Sequence, residues 1–310
     1  MRVLLLTSDC YGANGGIAQY NRDVVQALAD MPTVSQIVVI ARNLPTAPQH
    51  TPAKVTLVPG GAGGKYRFAR AAIAAARRRF DLVICGHINL LPLAAPVARI
   101  RRAPLALIVY GIDVWQQPFA LARLWVQRAQ AIWSISAITT ERMNAWARLP
   151  AARYTQLPNA VHLDQYESAP ANDELRMRYG LQGATVIMTL ARLPSKERYK
   201  GVDEVLEALP DLLVSQPRLH YLVAGEGDDR PRLMQKAASL GVAEQVTFTG
   251  MVPEAEKAAH FRLADAFVMP GRGEGFGFVF LEALACGVPA VGSQLDGSRE
   301  ALRGGELGEL

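Results

Sequence analysis

Apolar and polar positions alternate along this chain in blocks rather than residue by residue. Val3–Leu6 is a short apolar run that ends in a glycine-rich turn. Ile17, Tyr20, Val24, Ala27 and Leu28 then recur at helical spacing, which predicts a helix over Ile17–Leu28. Strand-like runs follow at Gln36–Ala41, Leu82–Cys85, Leu105–Tyr110 and Ala131–Ser134, with helical stretches such as Phe68–Arg78 and Ala137–Ala147 between them. Continuous apolar strands separated by helices call for a parallel sheet covered on both faces. The pattern fades in a polar, proline-containing stretch, 159–173, and then restarts. Strands are expected at Ala184–Ala191, Leu219–Ala224, Gln245–Phe248 and Ala266–Met269, and helices at Val202–Leu209, Pro231–Leu240, Glu254–Leu263 and Phe278–Ala285. The expected fold class is α/β: two facing, doubly wound, Rossmann-like parallel-sheet domains, 1–168 and 169–310. Ligands in such sheets bind beyond the carboxyl ends of the strands. No repeat with a period of 20 to 50 residues is present.

Composition narrows the class. Half of the 310 residues are hydrophobic, enough for two cores. No apolar run approaches the roughly 18 residues that span a bilayer, and Met1–Thr7 reads as a buried strand rather than a leader. Cys10, Cys85 and Cys286 are odd in number and far apart, which fits neither a disulfide framework nor a metal site. A reducing cytoplasm is the expected location. The net charge of +5 suits nucleic acid, an anionic membrane or an anionic small substrate. No aromatic-basic stacking motif supports the first, so nucleic acid is not an expected partner.

Three stretches carry candidate chemistry. Gly12-Ala13-Asn14-Gly15-Gly16 joins the first strand to the first helix. Its glycines and the helix N-terminus suit a phosphate, or equally a plain tight turn. Its spacing is not the GxGxxG of a nicotinamide-cofactor site, so a dehydrogenase is a weak alternative. Next, Arg192 closes the first strand of the second domain, and Arg198 and Lys200 precede the next helix. A guanidinium fork with an ammonium can hold a diphosphate and stabilise its departing charge; a solvated loop would look the same. Last, Glu274-Gly275-Phe276-Gly277 leads into a helix that carries Glu282. The first carboxylate stands beside helix-start amides. The second lies on an apolar helix, where burial demands a hydrogen-bonding partner such as ribose hydroxyls.

Together these residues resemble the retaining glycosyltransferases of glycosyltransferase family 4, the glycosyl transferases group 1. The matching pieces are Ala191-Arg192-Leu193, Tyr199-Lys200-Gly201, Val223-Ala224-Gly225-Glu226-Gly227, Phe248-Thr249-Gly250 and the stretch from Glu274 to Pro289, followed by Gly297 to Glu300. The first half is similar more loosely, through Gly15-Gly16, Cys85-Gly86-His87 and Tyr110-Gly111-Ile112-Asp113. The resemblance implies a GT-B fold and transfer of a sugar from a UDP- or GDP-sugar, with retention of configuration. The acceptor would be a glycan, a lipid-linked compound or a small molecule, as in cell-envelope polysaccharide synthesis.

It also implies roles. Arg192 and Lys200 would bind the donor diphosphate, with the Gly15 and Gly16 amides beside it. Glu274 would contact the transferred sugar, Gly275, Phe276 and Gly277 would offer backbone amides, and Glu282 would hold the ribose. Backbone at Gly250–Pro253 would meet the base. No metal or other cofactor is expected. Many family members carry a histidine where this chain has Tyr110, so His87 on the preceding strand is a candidate to contact the sugar instead. Asp113 is a further donor- or acceptor-side candidate. Family members continue past the last residues here with helices that return to the first domain, so the C-terminal end is expected to be truncated. A nucleotide-sugar-binding protein without turnover is the alternative. Lys65, Arg67, Arg70, Arg77, Arg78 and Arg79 gather along one predicted helix and its flanks. They form a solvated face or a peripheral contact with an anionic membrane on its inner side.

Overall fold

The computed structural model describes residues 1–12, 15–46, 48 and 50–310. The chain divides into two compact units, Met1–Pro158 and Asn159–Leu310.

Unit 1 runs β1 (Arg2–Thr7), α1 (Gly16–Asp30), β2 (Gln36–Ala41), β3 (Val55–Leu57), α2 (Lys65–Ala75), β4 (Leu82–Gly86) and α3 (Leu91–Arg101). It continues with β5 (Leu105–Val109), α4 (Ile112–Trp115), α5 (Ala120–Val126), β6 (Ala131–Ser134), α6 (Ala137–Ala147) and β7 (Tyr154–Gln156). The strands form one sheet in the order β3-β2-β1-β4-β5-β6-β7, and every pair is parallel. Val3, Leu4, Leu5 and Leu6 of the central strand are buried on both faces, which is why its sequence is apolar without alternation.

Unit 2 runs α7 (Asp173–Arg178), β8 (Thr185–Leu190), α8 (Val202–Ser215), β9 (Leu219–Ala224), α9 (Arg230–Ser239), β10 (Val246–Gly250), α10 (Lys257–Phe261), β11 (Ala266–Val268), α11 (Phe278–Ala285), β12 (Ala290–Val291) and α12 (Ser298–Ala301). Its five strands are parallel in the order β10-β9-β8-β11-β12. Val202, Val205, Leu206 and Leu209 of α8 form the i, i+3, i+4, i+7 stripe that packs on this sheet.

In each sheet the chain starts near the middle and winds outward both ways. The strand order reverses between β1 and β4 in unit 1 and between β8 and β11 in unit 2. Loops leaving the carboxyl ends of those two strands diverge there and leave a crevice. The Gly12–Gly16 loop follows β1 and His87 follows β4; Arg192 follows β8 and Glu274 follows β11. The candidate residues therefore sit at the two topological switch points.

The division falls at Pro158, ten residues before the expected 168. The intervening segment belongs to unit 2 because Tyr166 is buried there, edge-on to Phe261 with ring centres 6.4 Å apart. The helix expected over Glu254–Leu263 is a 3-10 turn at Glu254–Glu256 followed by α10. Among the described residues no helix is long and apolar enough to cross a membrane.

Candidate active site

In unit 2 the loop after β8 and the loop after β11 are interlocked. Gly201 adopts φ 86°, and a Cβ there would stand 2.8 Å from Pro270. Arg272 N donates to Tyr199 O at 2.8 Å. This close approach brings together two of the residues singled out in the sequence: Lys200 Nζ donates to Glu274 Oε2 at 2.6 Å. Burial works against the ammonium charge, but the Glu274 carboxylate outweighs it and holds the Lys200 pKa above its ordinary value. Lys200 is thus no solvated loop residue; its side chain is only 19% exposed.

Glu274 is fixed from the other side by a residue that sequence reasoning passed over. Glu274 N donates to Oδ2 of the buried Asp296 at 2.9 Å, and Gly297 N donates to Glu274 O at 2.8 Å. The two turns lie so close that a Cβ on Gly297 would stand 2.1 Å from Gly275 O. Asp296 Oδ1 accepts from Ser298 N and Oγ. Burial pushes its carboxyl up, against those hydrogen bonds. The only signal in the sequence was the turn-forming Asp296-Gly297 pair.

Gly275, Phe276 and Gly277 are buried, with Gly277 as the N-cap of α11. The Phe276 side chain is core, so a ligand could meet only its backbone. Gly250 O is taken by Gly225 N at 2.9 Å.

Arg192 and Arg198 differ from Lys200. The Arg192 side chain is 74% exposed, and its Nη2 donates to both carboxylate oxygens of Glu197, at 2.9 and 3.0 Å. Arg198 pairs with the buried Asp229 at 3.0 Å. With Lys200 they line a small open pocket shared with Pro194.

Glu282 is buried, as its apolar surroundings suggested, but protein groups meet it. Oε1 accepts from Lys257 Nζ at 2.7 Å and from Tyr166 Oη at 3.0 Å. Lys257 and Tyr166 lie 25 and 116 residues away in the chain, and no local motif pointed to either.

Unit 1 places its candidates differently. Gly15 caps α1 at φ 106° with no side-chain cap, and Gly16 opens the helix. The first-turn amides of a helix have no intrahelical acceptor, so they suit an anionic group. Ala13 and Asn14 of this loop lie outside the described residues. Tyr110 does not offer its hydroxyl to a ligand: it donates to Asn21 Oδ1 at 2.8 Å and approaches Gly86 O at 3.0 Å, with the ring buried. Asn21 in turn donates to Thr7 Oγ1 and Asp9 O. His87 is half-buried, and its Nδ1 accepts from Asn89 N at 3.1 Å. Burial holds its pKa below the ordinary value. The ring is therefore neutral with its proton on Nε2, a hydrogen-bond donor. Asp113 Oδ1 accepts from Tyr110 N at 3.1 Å, while Oδ2 is buried without a partner among the described residues. Burial pushes this carboxyl up to about 7.

Among the described residues no group of three or more His, Cys, Asp or Glu is placed to hold a metal ion.

Two family profiles match the chain almost end to end: Glycosyltransferase Family 4 over residues 14–165 and Glycosyl transferases group 1 over residues 173–310. A GDP-mannose-dependent alpha-(1-6)-phosphatidylinositol monomannoside mannosyltransferase of Mycolicibacterium smegmatis is 36% identical over 236 residues, 70% of this chain and 61% of that protein. A phosphatidyl-myo-inositol mannosyltransferase of Mycobacterium leprae is 38% identical over 156 residues, 50% of this chain and 39% of that one. The chain spans about three fifths of the length of the first of these relatives. Among solved structures, Anabaena HepE in complex with UDP-glucose superposes with a TM-score of 0.75 at 20% identity, covering 97% of this chain and 82% of that one. Sucrose-phosphate synthase of Thermosynechococcus elongatus also gives 0.75, at 17% identity, covering 97% and 83%. The fold class expected from the sequence, α/β of the GT-B kind, is the one these structures share.

Proposed function

The chain belongs to glycosyltransferase family 4, and from that premise we propose that it serves as a retaining hexosyltransferase using GDP-mannose and a phosphatidylinositol-type lipid acceptor. The observation that carries the donor site is the interlocked pair Lys200–Glu274 at the switch point of unit 2. A lysine held charged and largely shielded from water is suited to a diphosphate, and the carboxylate that holds it lies where the sugar would follow. The preference for GDP-mannose and for the lipid rests on the names of relatives 34–38% identical to this chain.

In this mechanism the bond between the sugar anomeric carbon and the diphosphate oxygen breaks as the acceptor oxygen bonds that carbon from the same face. The acceptor proton passes to a diphosphate oxygen. Lys200 and Arg192 stabilise the charge that builds on the leaving group, as preorganised cations do. Glu274 orients the sugar hydroxyls and Glu282 the ribose. In unit 1, the neutral His87 ring supplies a donor that Tyr110, closed into its own network, does not. No residue is assigned to a metal.

A lipid acceptor gives the basic helix of unit 1 a use. On α2 and its flank, Lys65, Arg67, Arg70, Arg77, Arg78 and Arg79 are all exposed, and Tyr66 and Ile73 stand among them at 93% and 64% exposure. Exposed apolar side chains within a cationic face suit the surface of an anionic bilayer. Vesicles with and without phosphatidylinositol test this: retention only by the anionic vesicles is expected, and equal recovery in solution with both removes the membrane contact.

The donor assignment is tested by calorimetry with GDP and UDP on the wild type and Glu282→Ala. Binding of GDP in preference to UDP, weakened by the substitution, supports it. Preference for UDP moves the donor class, and binding without sugar transfer to a phosphatidylinositol acceptor favours a non-catalytic binder.

A further inference from the structure

The two oxygens of the buried Glu282 carboxylate are in unlike environments. Oε1 accepts from Lys257 Nζ at 2.7 Å and from Tyr166 Oη at 3.0 Å. Oε2 is equally shielded from solvent and has no partner among the described residues. Lys257 is itself anchored by Glu254 Oε1 at 3.1 Å, and its Nζ lies 5.8 Å from the centre of the Tyr166 ring. Tyr166 is only 5% exposed and is wedged against Phe261. Burial and the adjacent Glu282 and Glu254 carboxylates push the phenol pKa far up, so its hydroxyl stays a donor at any working pH.

A carboxylate on a helix of Phe, Val, Leu and Ala is costly to bury unless it is paired and hydrogen-bonded, and the Lys257 ammonium supplies that pairing at Oε1. A single lysine, however, leaves the carboxylate free to turn and present either oxygen. Tyr166, whose single hydroxyl proton faces Glu282 Oε1 at 3.0 Å and Glu254 Oε1 at 3.3 Å, adds a second direction through the shorter contact. Oε1 is thus met twice, and Oε2 is left without a partner among the described residues. A carboxylate oxygen that is buried and has no partner among the described residues can accept from a donor brought by a ligand.

We infer that Tyr166 and Lys257 are positioning residues that fix Glu282 so that Oε2 selects a nucleotide carrying ribose hydroxyls. The inference rests on the assignment of Glu282 to the ribose and adds to it how the chain makes that carboxylate specific. Tyr166 comes from the stretch after Pro158, where the alternation of strands and helices fades and where unit 2 begins. The segment thus contributes to the donor site as well as joining the units.

The test compares GDP with 2′,3′-dideoxy-GDP, and UDP with its dideoxy counterpart, by calorimetry on the wild type, Tyr166→Phe, Lys257→Met and Glu282→Ala. Hydrogen bonds from the ribose hydroxyls to this buried carboxyl group predict that the wild type prefers the ribonucleotide by roughly 10- to 100-fold. Tyr166→Phe is expected to cut that preference about 3- to 10-fold by weakening the ribonucleotide alone, and Lys257→Met to cut it further. A merely structural role weakens both nucleotides equally and leaves the preference intact, which overturns the inference. Glu282→Ala separates the two layers. If it leaves the preference unchanged, the ribose assignment itself fails. If it removes the preference while Tyr166→Phe and Lys257→Met keep it, only the positioning role fails. Circular dichroism and thermal unfolding confirm that each variant is folded; Tyr166→Phe removes one oxygen and is the variant that keeps the packing.

Discussion

The switch points of the two units solve the same geometric problem with opposite chemistry. In unit 2 the edge is ionic: Lys200 on Glu274, Arg192 on Glu197, Arg198 on Asp229 and Lys257 on Glu282. In unit 1 the edge around β1, β4 and β5 is held by neutral groups, with the Tyr110 hydroxyl on Asn21 and Gly86 O, and Asn21 on Thr7 and Asp9 O. An ionic edge keeps cations in place for a ligand whose charge is large and fixed. A neutral, closed edge sets shape and leaves a few polar groups, such as the His87 ring and the first amides of α1, to meet hydroxyls or an anion.

The sharpest way to break this comparison is Lys200→Ala. If the ionic edge of unit 2 stabilises leaving-group charge, sugar-transfer kcat/KM falls about 10²- to 10³-fold, the loss seen when one preorganised transition-state donor is removed. A fall below threefold in a folded variant would make the Lys200–Glu274 pair a structural contact and erase the contrast between the units.

Unit 1 offers the next effect, through the half-buried carboxyl group just past the end of β5. Asp113 is held at a pKa of about 7 by burial, whereas an unfolded aspartate titrates near 3.8. Between those values the folded chain keeps the proton and the unfolded chain does not. Stability from this group is therefore full below about pH 4 and is lost as pH rises toward 7, by at most about 4 kcal/mol at ~1.4 kcal/mol per pH unit. Urea unfolding of the wild type and Asp113→Asn at pH 5 and pH 8 isolates the contribution: the difference between the two proteins should change between the two pH values. A difference that stays constant would mean that Asp113 is ionised at neutral pH and that the edge of unit 1 is charged too.

Tyr110→Phe sharpens the contrast from the packing side. Its hydroxyl serves buried acceptors only, so removing it should cost unit 1 about 1–3 kcal/mol, the cost of leaving them unpaired. Affinity for GDP should stay at the wild-type value. A variant that loses nucleotide affinity without losing stability would return Tyr110 to the list of ligand contacts.

How far these features could be read in advance follows from their physics. The central strands were legible because both faces are buried, as at Val3–Leu6 and Leu219–Ala224. Strands β3, β7 and β12 have only two or three residues and left no periodic trace. Helix α3 was obscured by Pro96 in its interior, and α8 was cut short at Leu209 because Pro210 follows, although the helix runs on to Ser215. Proline weakens a helix without always ending it. In the site, the residues found in advance are charged or glycine and stand in loops that leave strand ends. Those missed act through folding: Tyr166, Lys257 and Asp296 reach their partners across 116, 25 and 22 residues, a distance no local pattern encodes. Tyr110 shows the converse, a residue in the right place whose hydroxyl the fold turns inward.

The smallest expected effect tests how much of the ionic edge depends on burial. Arg192 carries the same charge as Lys200 but is mostly exposed, and its Nη2 is taken by Glu197. Water screens such a cation, and a diphosphate must compete with the carboxylate for it. Arg192→Ala should weaken GDP by only about 3- to 10-fold, and raised salt should shrink that difference as screening grows. Glu197→Gln, which removes the competing charge, should tighten GDP slightly. If Arg192→Ala instead matches Lys200→Ala in its effect on GDP affinity and on transfer, the guanidinium must leave Glu197 and become shielded when the nucleotide binds. The edge of unit 2 would then be assembled by its ligand, whereas the Tyr110–Asn21–Thr7 hydrogen bonds of unit 1 form without one.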